Sequence, residues 1–193
     1  MSRTLSRLEF HPLTSERWSD LEKLFGPKGA CGGCWCMAWR LKRSEYDKQK
    51  GEGNRRAMKA IVDSGETPGI LAYEQDTPIA WCSIAPRECF SVLQRSRILK
   101  PVDNESVWSV SCFFVAKSYR RRGITAELLR GAVSYAKHEG ARIVEGYPID
   151  ARKPNYPVIF AWTGFYPAFK KAGFNEALRR SETRPIMRFI IKG

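Results

Sequence analysis

The sequence predicts a mixed α/β (α+β) domain organised around one strand–helix–strand unit. Residues Val107 to Val115 form an almost uninterrupted apolar and β-branched run, which is typical of a strand covered on both faces. From Ile124 onward the apolar residues recur at helical spacing, and Gly140 provides a stop signal. Arg142 to Tyr147 reads as a second strand, which the helical crossover would make parallel to the first.

The other elements are predicted to be hairpins and short helices that extend this unit on both sides. Turn residues and capping residues separate the segments. In order, we expect a strand at Thr4–Phe10, a helix that is capped by Thr14 or Ser15 and ends at Gly26, a helix at Asn54–Ser64, a hairpin at Gly69–Tyr73 and Ile79–Ala85, a helix at Gly164–Ala172 and closing strands at Asn175–Arg180 and Ile186–Ile191. The chain is long enough for one substantial core, so residues 1–193 are expected to form a single domain.

Composition indicates an ordinary globular protein with an anionic partner. The chain has 33 Lys and Arg against 20 Asp and Glu, a net charge of +13. Such a surplus favours either nucleic acid or a phosphate-bearing small molecule. No secretory signal is evident near the N-terminus, so the six cysteines are expected to be free thiols in a reducing cytoplasm. No stretch is long and apolar enough to predict a membrane helix.

A basic turn joins the central strand to the central helix. It reads Arg120-Arg121-Arg122-Gly123. The first turn of a helix offers backbone N–H groups without internal partners and the positive end of the helix dipole, so a phosphate placed there is stabilised. Gly123 lacks a Cβ and lets a ligand approach the backbone closely. The pattern therefore predicts a phosphate-binding turn.

The segment from Arg120 to Thr125 resembles the acetyl-CoA-binding motif R/Q-x-x-G-x-G/A of the GNAT (general N-acetyltransferase) superfamily, with Thr125 in place of Gly or Ala. The resemblance implies a mostly antiparallel sheet whose central parallel strands splay to hold CoA. It also implies that acetyl-CoA is the acyl donor and that a free strand N–H at Phe114 or Val115 binds the thioester carbonyl. The implied phosphate-binding residues are Arg120, Arg121, Arg122, Gly123, Ile124, Thr125 and Ala126.

A second segment, Phe169-Lys170-Lys171-Ala172-Gly173-Phe174, resembles the Y-x-K-x-G-F sequence of the same superfamily. Phe169 stands where that superfamily often has a Tyr that protonates the departing CoA thiolate, and it is expected to border the cofactor. Phenylalanine has no proton to give. Tyr166, three residues earlier on the same helix face, is the substitute predicted here, with Tyr147 or a water molecule as alternatives.

The transfer also requires a group that takes a proton from the attacking amine. Glu145 is the predicted base because it lies in the middle of a strand, where a charge is costly unless it is paired or functional. A salt-bridged structural role is the competing interpretation. Glu88, Glu105 and Asp150 are further carboxylates near strand ends.

The sequence Cys31-Gly32-Gly33-Cys34-Trp35-Cys36 has a spacing that occurs in zinc sites. Because no second such pair follows, no metal is expected, and buried thiols packed among aromatic residues are favoured. In GNAT proteins the early helices and their loop commonly form a wall of the acceptor pocket, so this segment is a candidate for that role. A later aromatic group, from Tyr156 and Phe160 to Tyr166, is a candidate lid.

The resemblance implies an N-acetyltransferase that moves an acetyl group from acetyl-CoA to a primary amine by direct attack. The acceptor is a small molecule or a peptide amine, and its identity stays open. Two alternatives are an acyl-CoA-binding regulatory protein without catalysis and a basic nucleic-acid-binding module. No nucleic-acid-binding motif is present, so nucleic acid is disfavoured. The oligomeric state is open, with a homodimer among the options.

Overall fold

A computed structural model describes residues 7–151 and 161–192. The strands are β1 (Leu8–Pro12), β2 (Gly69–Glu74), β3 (Thr77–Pro86), β4 (Trp108–Val115), β5 (Ile143–Gly146), β6 (Asn175–Arg179) and β7 (Pro185–Ile190). The helices are α1 (Trp18–Phe25), α2 (Arg43–Lys48), α3 (Glu52–Asp63), α4 (Ser91–Arg95), α5 (Ile124–His138) and α6 (Tyr166–Lys171).

The strands form a seven-stranded sheet in the order β1-β2-β3-β4-β5-β7-β6. Every neighbouring pair is antiparallel except β4 and β5, which are parallel and connected through α5. The predicted fold class, a mixed and mostly antiparallel sheet around a central parallel βαβ unit, is confirmed. The single-domain expectation for residues 1–193 stays a prediction.

Apolar layers cover both faces of the sheet. On one face α5 and α6 pack through residues such as Leu128, Leu129 and Phe169. On the other face α1, α3 and the segment between them pack through Trp18, Trp35 and Met58. A sheet buried on both faces needs apolar residues on consecutive positions, which explains the continuous apolar run of β4.

Element bounds differ from the predicted bounds by a few residues. The first strand begins later than expected, at Leu8, while residues 1–6 lie outside the described part of the chain. Of the predicted aromatic lid, Tyr156 and Phe160 also lie outside it. Of the helices in residues 7–151 and 161–192, none combines the length and apolar character that crossing a bilayer requires.

Candidate active site

Strands β4 and β5 separate from each other halfway along β4. They are paired only at Trp108, Ser109 and Val110, opposite Val144, Glu145 and Gly146. β5 ends at Gly146, whereas β4 continues to Val115. Beyond Val110, the edge of β4 that faces away from β3 is therefore not covered by β5. We call this half of the strand, residues 111–115, the free edge.

The backbone of the free edge carries hydrogen-bond donors at alternate residues. The Ala116 N–H donates to the carbonyl of Ile79 on β3 at 2.9 Å, and Phe114 lies opposite Trp81 on the same strand. Strand alternation then directs the N–H groups of Phe113 and Val115 away from β3. Phe113 donates to the carbonyl of Trp162 at 2.6 Å. Of the two donors predicted for a thioester, Phe114 and Val115, this geometry favours Val115.

The basic turn after β4 leads directly into α5. Gly123 is the residue before the helix and has φ 80°, and Arg121 also has positive φ, 62°. The turn is exposed from Arg120 to Gly123, while Ile124 is buried. The amide of Ala126 donates to the Gly123 carbonyl at 3.0 Å. An anion would therefore find its backbone donors before Ala126, at the amides around Gly123.

Cationic side chains surround this turn. Arg120 donates from Nε to the carbonyl of Val115 at 2.9 Å, and the guanidinium of Arg122 lies 5.3 Å from the centre of the Tyr119 ring. The Lys171 amino group lies 3.7 Å from the point where a Cβ on Gly123 would stand. Lys171 comes from α6, so only the tertiary structure identifies it as part of the turn.

Phe169 is fully buried beside the point where β4 and β5 part. A Cβ on Gly146, the last residue of β5, would lie 2.3 Å from its ring. The Phe113 ring meets the Phe169 ring edge-on, with the centroids 6.1 Å apart. Phe169 therefore forms an apolar wall next to the free edge, and its predicted contact with the cofactor stays a prediction.

Tyr166 begins α6 and is half-buried. Its ring lies 5.9 Å from the guanidinium of Arg179 on β6, and its backbone N–H donates to Ile149 at 2.9 Å. These contacts turn Tyr166 toward the β6 end of the sheet. The role of proton donor predicted for it stays a prediction.

Glu145 is 0% exposed and lies between two arginines. Its Oε1 accepts from Nη1 of Arg87 at 3.1 Å and from the Tyr147 hydroxyl at 2.8 Å. Its Oε2 accepts from Nε of Arg188 at 2.8 Å. Both carboxylate oxygens are already engaged and the side chain is buried, so Glu145 has little access to an incoming amine. The predicted role of base stays a prediction, and the geometry favours the competing structural role.

The Glu145 network reaches beyond the sheet. Arg87 also donates from Nη2 to the carbonyls of Leu93 and Leu99, at 3.2 and 2.6 Å, which ties the segment after β3 to β5.

Burial raises the pKa of the Tyr147 hydroxyl well above its usual range, helped by the Glu145 charge. Tyr147 is therefore a poor proton donor. Sequence reasoning missed Arg87, since a lone Arg after a hairpin resembles a surface residue.

A cavity of about 130 Å³ lies beside the free edge, on the α1 and α3 side of the sheet. Its walls include four cysteines, Cys31, Cys34, Cys36 and Cys112. The remaining walls are the aromatic residues Trp39, Tyr46, Phe113, Phe114 and Trp162 and the alanines at positions 30 and 38. We call it the thiol pocket. Of the predicted acceptor wall, residues 31–36, the three cysteines line it.

Two thiols in this pocket, those of Cys34 and Cys36, are held in their neutral form. Cys36 Sγ lies 3.4 Å from Cys112 Sγ and accepts a hydrogen bond from Trp81 Nε1 at 3.2 Å. Hydrogen bonding to Cys112 raises the Cys36 pKa, and hydrogen bonding to Cys36 together with burial raises the Cys34 pKa. All six cysteines are free thiols. Across residues 7–151 and 161–192, no cluster of three or more His, Cys, Asp or Glu side chains is arranged to hold a metal ion.

The loop that carries these cysteines has an unusual backbone. Ala30, Trp35 and Cys36 all have positive φ, at 67°, 42° and 54°. Such conformations cost energy in residues with side chains and concentrate at functional sites.

A larger open groove of about 670 Å³ lies between α1 and α3, but none of its lining residues belongs to β4 or α5. The thiol pocket is therefore the better candidate for the acceptor.

A known protein family and several solved structures resemble this chain. The model of the acetyltransferase (GNAT) family matches residues 35–163. No curated protein sequence matches the chain.

Solved structures with a similar fold span nearly the whole chain. An acetyltransferase of the GNAT family from Streptococcus agalactiae has a TM-score of 0.57 and 12% identity, and the match covers 96% of each chain. The PaiA N-acetyltransferase from Thermoplasma acidophilum, solved in complex with coenzyme A, has a TM-score of 0.52 and 14% identity over 96% of this chain and 100% of the other. An N-acetyltransferase from Staphylococcus aureus has a TM-score of 0.52 and 15% identity over 97% and 100%.

Proposed function

Because this chain belongs to the acetyltransferase (GNAT) family, we propose that it moves an acetyl group from acetyl-CoA to a primary amine by direct attack. One observation carries the proposal: the free edge of β4 leads into the basic turn at the start of α5 and borders the thiol pocket. A thioester donor group, a phosphate-binding turn and a space for an acceptor would thus lie along one strand. The PaiA N-acetyltransferase, which has a similar fold, was solved with coenzyme A.

The basic turn would hold the phosphates of CoA. The amides around Gly123 point away from the helix, and the dipole of α5 favours an anion there. Arg121, Arg122 and Lys171 add positive charge beside the turn. The residues fit the group, since the turn is exposed and a Cβ on Gly123 would meet only the flexible end of Lys171.

The free edge would hold and polarise the thioester. The Val115 N–H would donate to the carbonyl oxygen, which gains negative charge as the amine attacks. A C–N bond forms, the C–S bond breaks, and the electron pair leaves on sulfur as a thiolate. Thiols have pKa values of about 8.5, so this thiolate leaves readily without a strong acid. That matches Phe169, which has no proton to offer.

The proton of the amine would pass to water. Glu145 is engaged with Arg87 and Arg188, and Tyr166 contacts Arg179, so neither residue is turned toward the thiol pocket. We propose that Glu145 positions β5 against β7 and that Tyr166 supports α6. The earlier hypothesis, with Glu145 as base and Tyr166 as acid, is kept as the alternative that mutation would decide.

The test is a transfer assay with acetyl-CoA and a panel of amines. The reaction is monitored by the release of the CoA thiol, and the product is identified by mass spectrometry. We expect thiol release that depends on an amine and a mass increase of one acetyl group on that amine. Tight binding of acetyl-CoA without transfer to any amine would instead support a regulatory acyl-CoA-binding protein. The observation that favours this second candidate is Phe169, which is buried and has no proton to offer.

The acceptor is expected to be a small-molecule or peptide amine. The NatC complex, whose fold is similar with a TM-score of 0.52 and 11% identity, was solved with a Gag peptide and CoA. The cytoplasmic location, the possible homodimer and the expectation that nucleic acid is not a partner stay predictions.

A further inference from the structure

The size of the thiol pocket limits the acceptor. Its volume of about 130 Å³ is close to that of a protein cavity of about 150 Å³ that holds benzene. The pocket adjoins Cys112, Phe113 and Phe114 of β4, so it reaches the strand that would hold the thioester. The part of the acceptor that enters is therefore about as large as one six-membered ring.

The walls of the pocket offer aromatic ring faces but no negative charge to an ammonium group. Within the described part of the chain, no Asp or Glu lines it. The thiols of Cys34 and Cys36 are neutral because their pKa values are raised, and burial raises the pKa of Tyr46 to about 12. Residues 152–160 contain no Asp or Glu in their sequence, so that segment could not supply a carboxylate either. An ammonium group would lose its hydration there, and the attraction of the aromatic ring faces for a cation is weaker than the cost of burying a charge without a counter-ion.

The charge of the whole chain acts in the same direction. A net charge of +13 repels polyamines and lysine-rich peptides before they reach the pocket. The basic turn and Lys171 add positive charge along the same strand and helix. Acceptors that are cations at neutral pH are therefore disfavoured both at long range and on entry.

From these observations we infer that the acceptor is a compact, apolar amine of low basicity, such as an aromatic amine, which enters the thiol pocket uncharged. The inference rests on the proposed function and names its substrate class. A neutral amine already has the free electron pair that attacks the thioester carbon, so the site needs no base to prepare it. After the C–N bond forms, the nitrogen carries the extra proton and passes it to water as the thiolate departs.

Aniline and benzylamine form a matched pair for the test. Both carry one ring and one primary amine, but aniline is neutral at neutral pH whereas benzylamine is protonated. We expect kcat/KM for aniline to be nearly constant above neutral pH. For benzylamine it should be low at neutral pH and rise about tenfold per pH unit toward the amine pKa, because only the uncharged form enters. Spermidine should not be acetylated at any pH tested.

A pocket variant separates charge from shape. Cys31 lines the pocket and is exposed, so Cys31→Asp places a carboxylate there without burying it. We expect this change to strengthen the binding of protonated benzylamine, measured as inhibition of aniline acetylation at neutral pH, by about threefold to fivefold, a size typical of an exposed ion pair. Cys31→Asn, which has the same shape without the charge, should keep the wild-type inhibition.

The outcomes separate the two levels of the proposal. Calorimetry with acetyl-CoA on the same samples reports whether the donor binds. If acetyl-CoA does not bind, the proposed function fails. If acetyl-CoA binds and spermidine or a lysine amide is acetylated faster than aniline at neutral pH, the inference about the acceptor is wrong while the proposed function stands.

Discussion

Arg188 on β7 joins a buried carboxylate to an exposed one. Its Nε donates to Oε2 of Glu145 at 2.8 Å, while Nη1 and Nη2 donate to the two carboxylate oxygens of Asp103 at 2.6 and 3.0 Å. Glu145 is 0% exposed, whereas the Asp103 side chain is 43% exposed. The same guanidinium therefore stabilises β5 against β7 in the interior and fixes the segment before β4 at the surface.

Glu145→Gln tests whether the buried carboxylate is structural or catalytic. Removing its charge leaves Arg87 and Arg188 without their shared counter-ion inside the protein. We expect a loss of about 3–5 kcal/mol in the free energy of unfolding, measured by urea denaturation, because breaking a buried ion pair leaves an uncompensated charge. The pH profile of kcat/KM should keep its shape. A stable variant whose acidic limb has disappeared would make Glu145 the general base.

Asp103→Asn is the matched control, and it also yields a pH prediction. Hydrogen bonding to Arg188 holds the pKa of the Asp103 carboxyl below its usual value. A group with a lowered folded-state pKa stabilises the protein above its unfolded pKa, and this contribution is lost as the pH falls through the folded-state value. The stability difference between wild type and Asp103→Asn should be fully present above the unfolded Asp pKa of about 3.9 and should decrease as the pH falls below it through the folded-state pKa. A difference that grows in acid would contradict this assignment.

The cysteines should differ sharply in reactivity toward a thiol reagent. Cys31 is exposed, whereas Cys36, Cys82 and Cys112 are buried. Burial raises the pKa of Cys82, and hydrogen bonding to Cys112 raises that of Cys36, so both remain thiols, which are unreactive. We expect Cys31 to account for the fast phase of labelling and Cys31→Ser to abolish it. Fast labelling of Cys36 in the folded protein would show that the thiol pocket opens to solvent.

The elements whose residues are contiguous could be predicted from the sequence. The central strand was expected at Val107–Val115 and is observed at Trp108–Val115, because its apolar run satisfies both covered faces of the sheet. The helix start at Ile124 follows from Gly123, whose positive φ only glycine adopts easily. Local pattern determines both features, so no long-range information was needed.

The surroundings of the site residues could not be predicted in the same way. Glu145 was correctly singled out as a costly charge in a strand, but its partner Arg87 is 58 residues earlier and resembles a surface residue in the sequence. Lys171 lies in residues 169–174, which resemble a GNAT sequence motif, yet its position beside Gly123 depends on how α6 packs against α5. Such contacts join distant segments, and one sequence does not encode them in any periodic signal.

Lys171→Ala tests the role of a cation that only the tertiary structure identifies as part of the basic turn. The amino group stands beside Gly123, so its removal should weaken acetyl-CoA binding roughly tenfold, or about 1.4 kcal/mol, as expected for a hydrogen bond to a charged group. Lys170→Ala is the control, because it removes the same charge from the same helix. The Lys170 amino group donates to Asn175 Oδ1 at 3.1 Å and is not the cation beside Gly123. Equal losses in the two variants would mean that only net charge matters.

Gly123→Val and Gly140→Val form a matched pair at the two ends of α5. Both glycines have positive φ, 80° and 82°, so both variants carry a similar backbone strain. Only Gly123 lies in the basic turn. A difference between the variants in ligand binding therefore reports on the turn and not on the stability of the helix.

Calorimetric titration of these two variants and the wild type with acetyl-CoA and with acetyl-pantetheine, which lacks the phosphates, tests the central claim most directly. We predict that the wild type binds acetyl-CoA far more tightly than acetyl-pantetheine. In Gly123→Val the ratio of the affinity for acetyl-CoA to that for acetyl-pantetheine should fall by about tenfold or more, whereas Gly140→Val should keep the wild-type ratio. Equal wild-type affinity for the two ligands, or an unchanged preference in Gly123→Val, would contradict the claim that the turn before α5 binds the phosphates of the acyl donor.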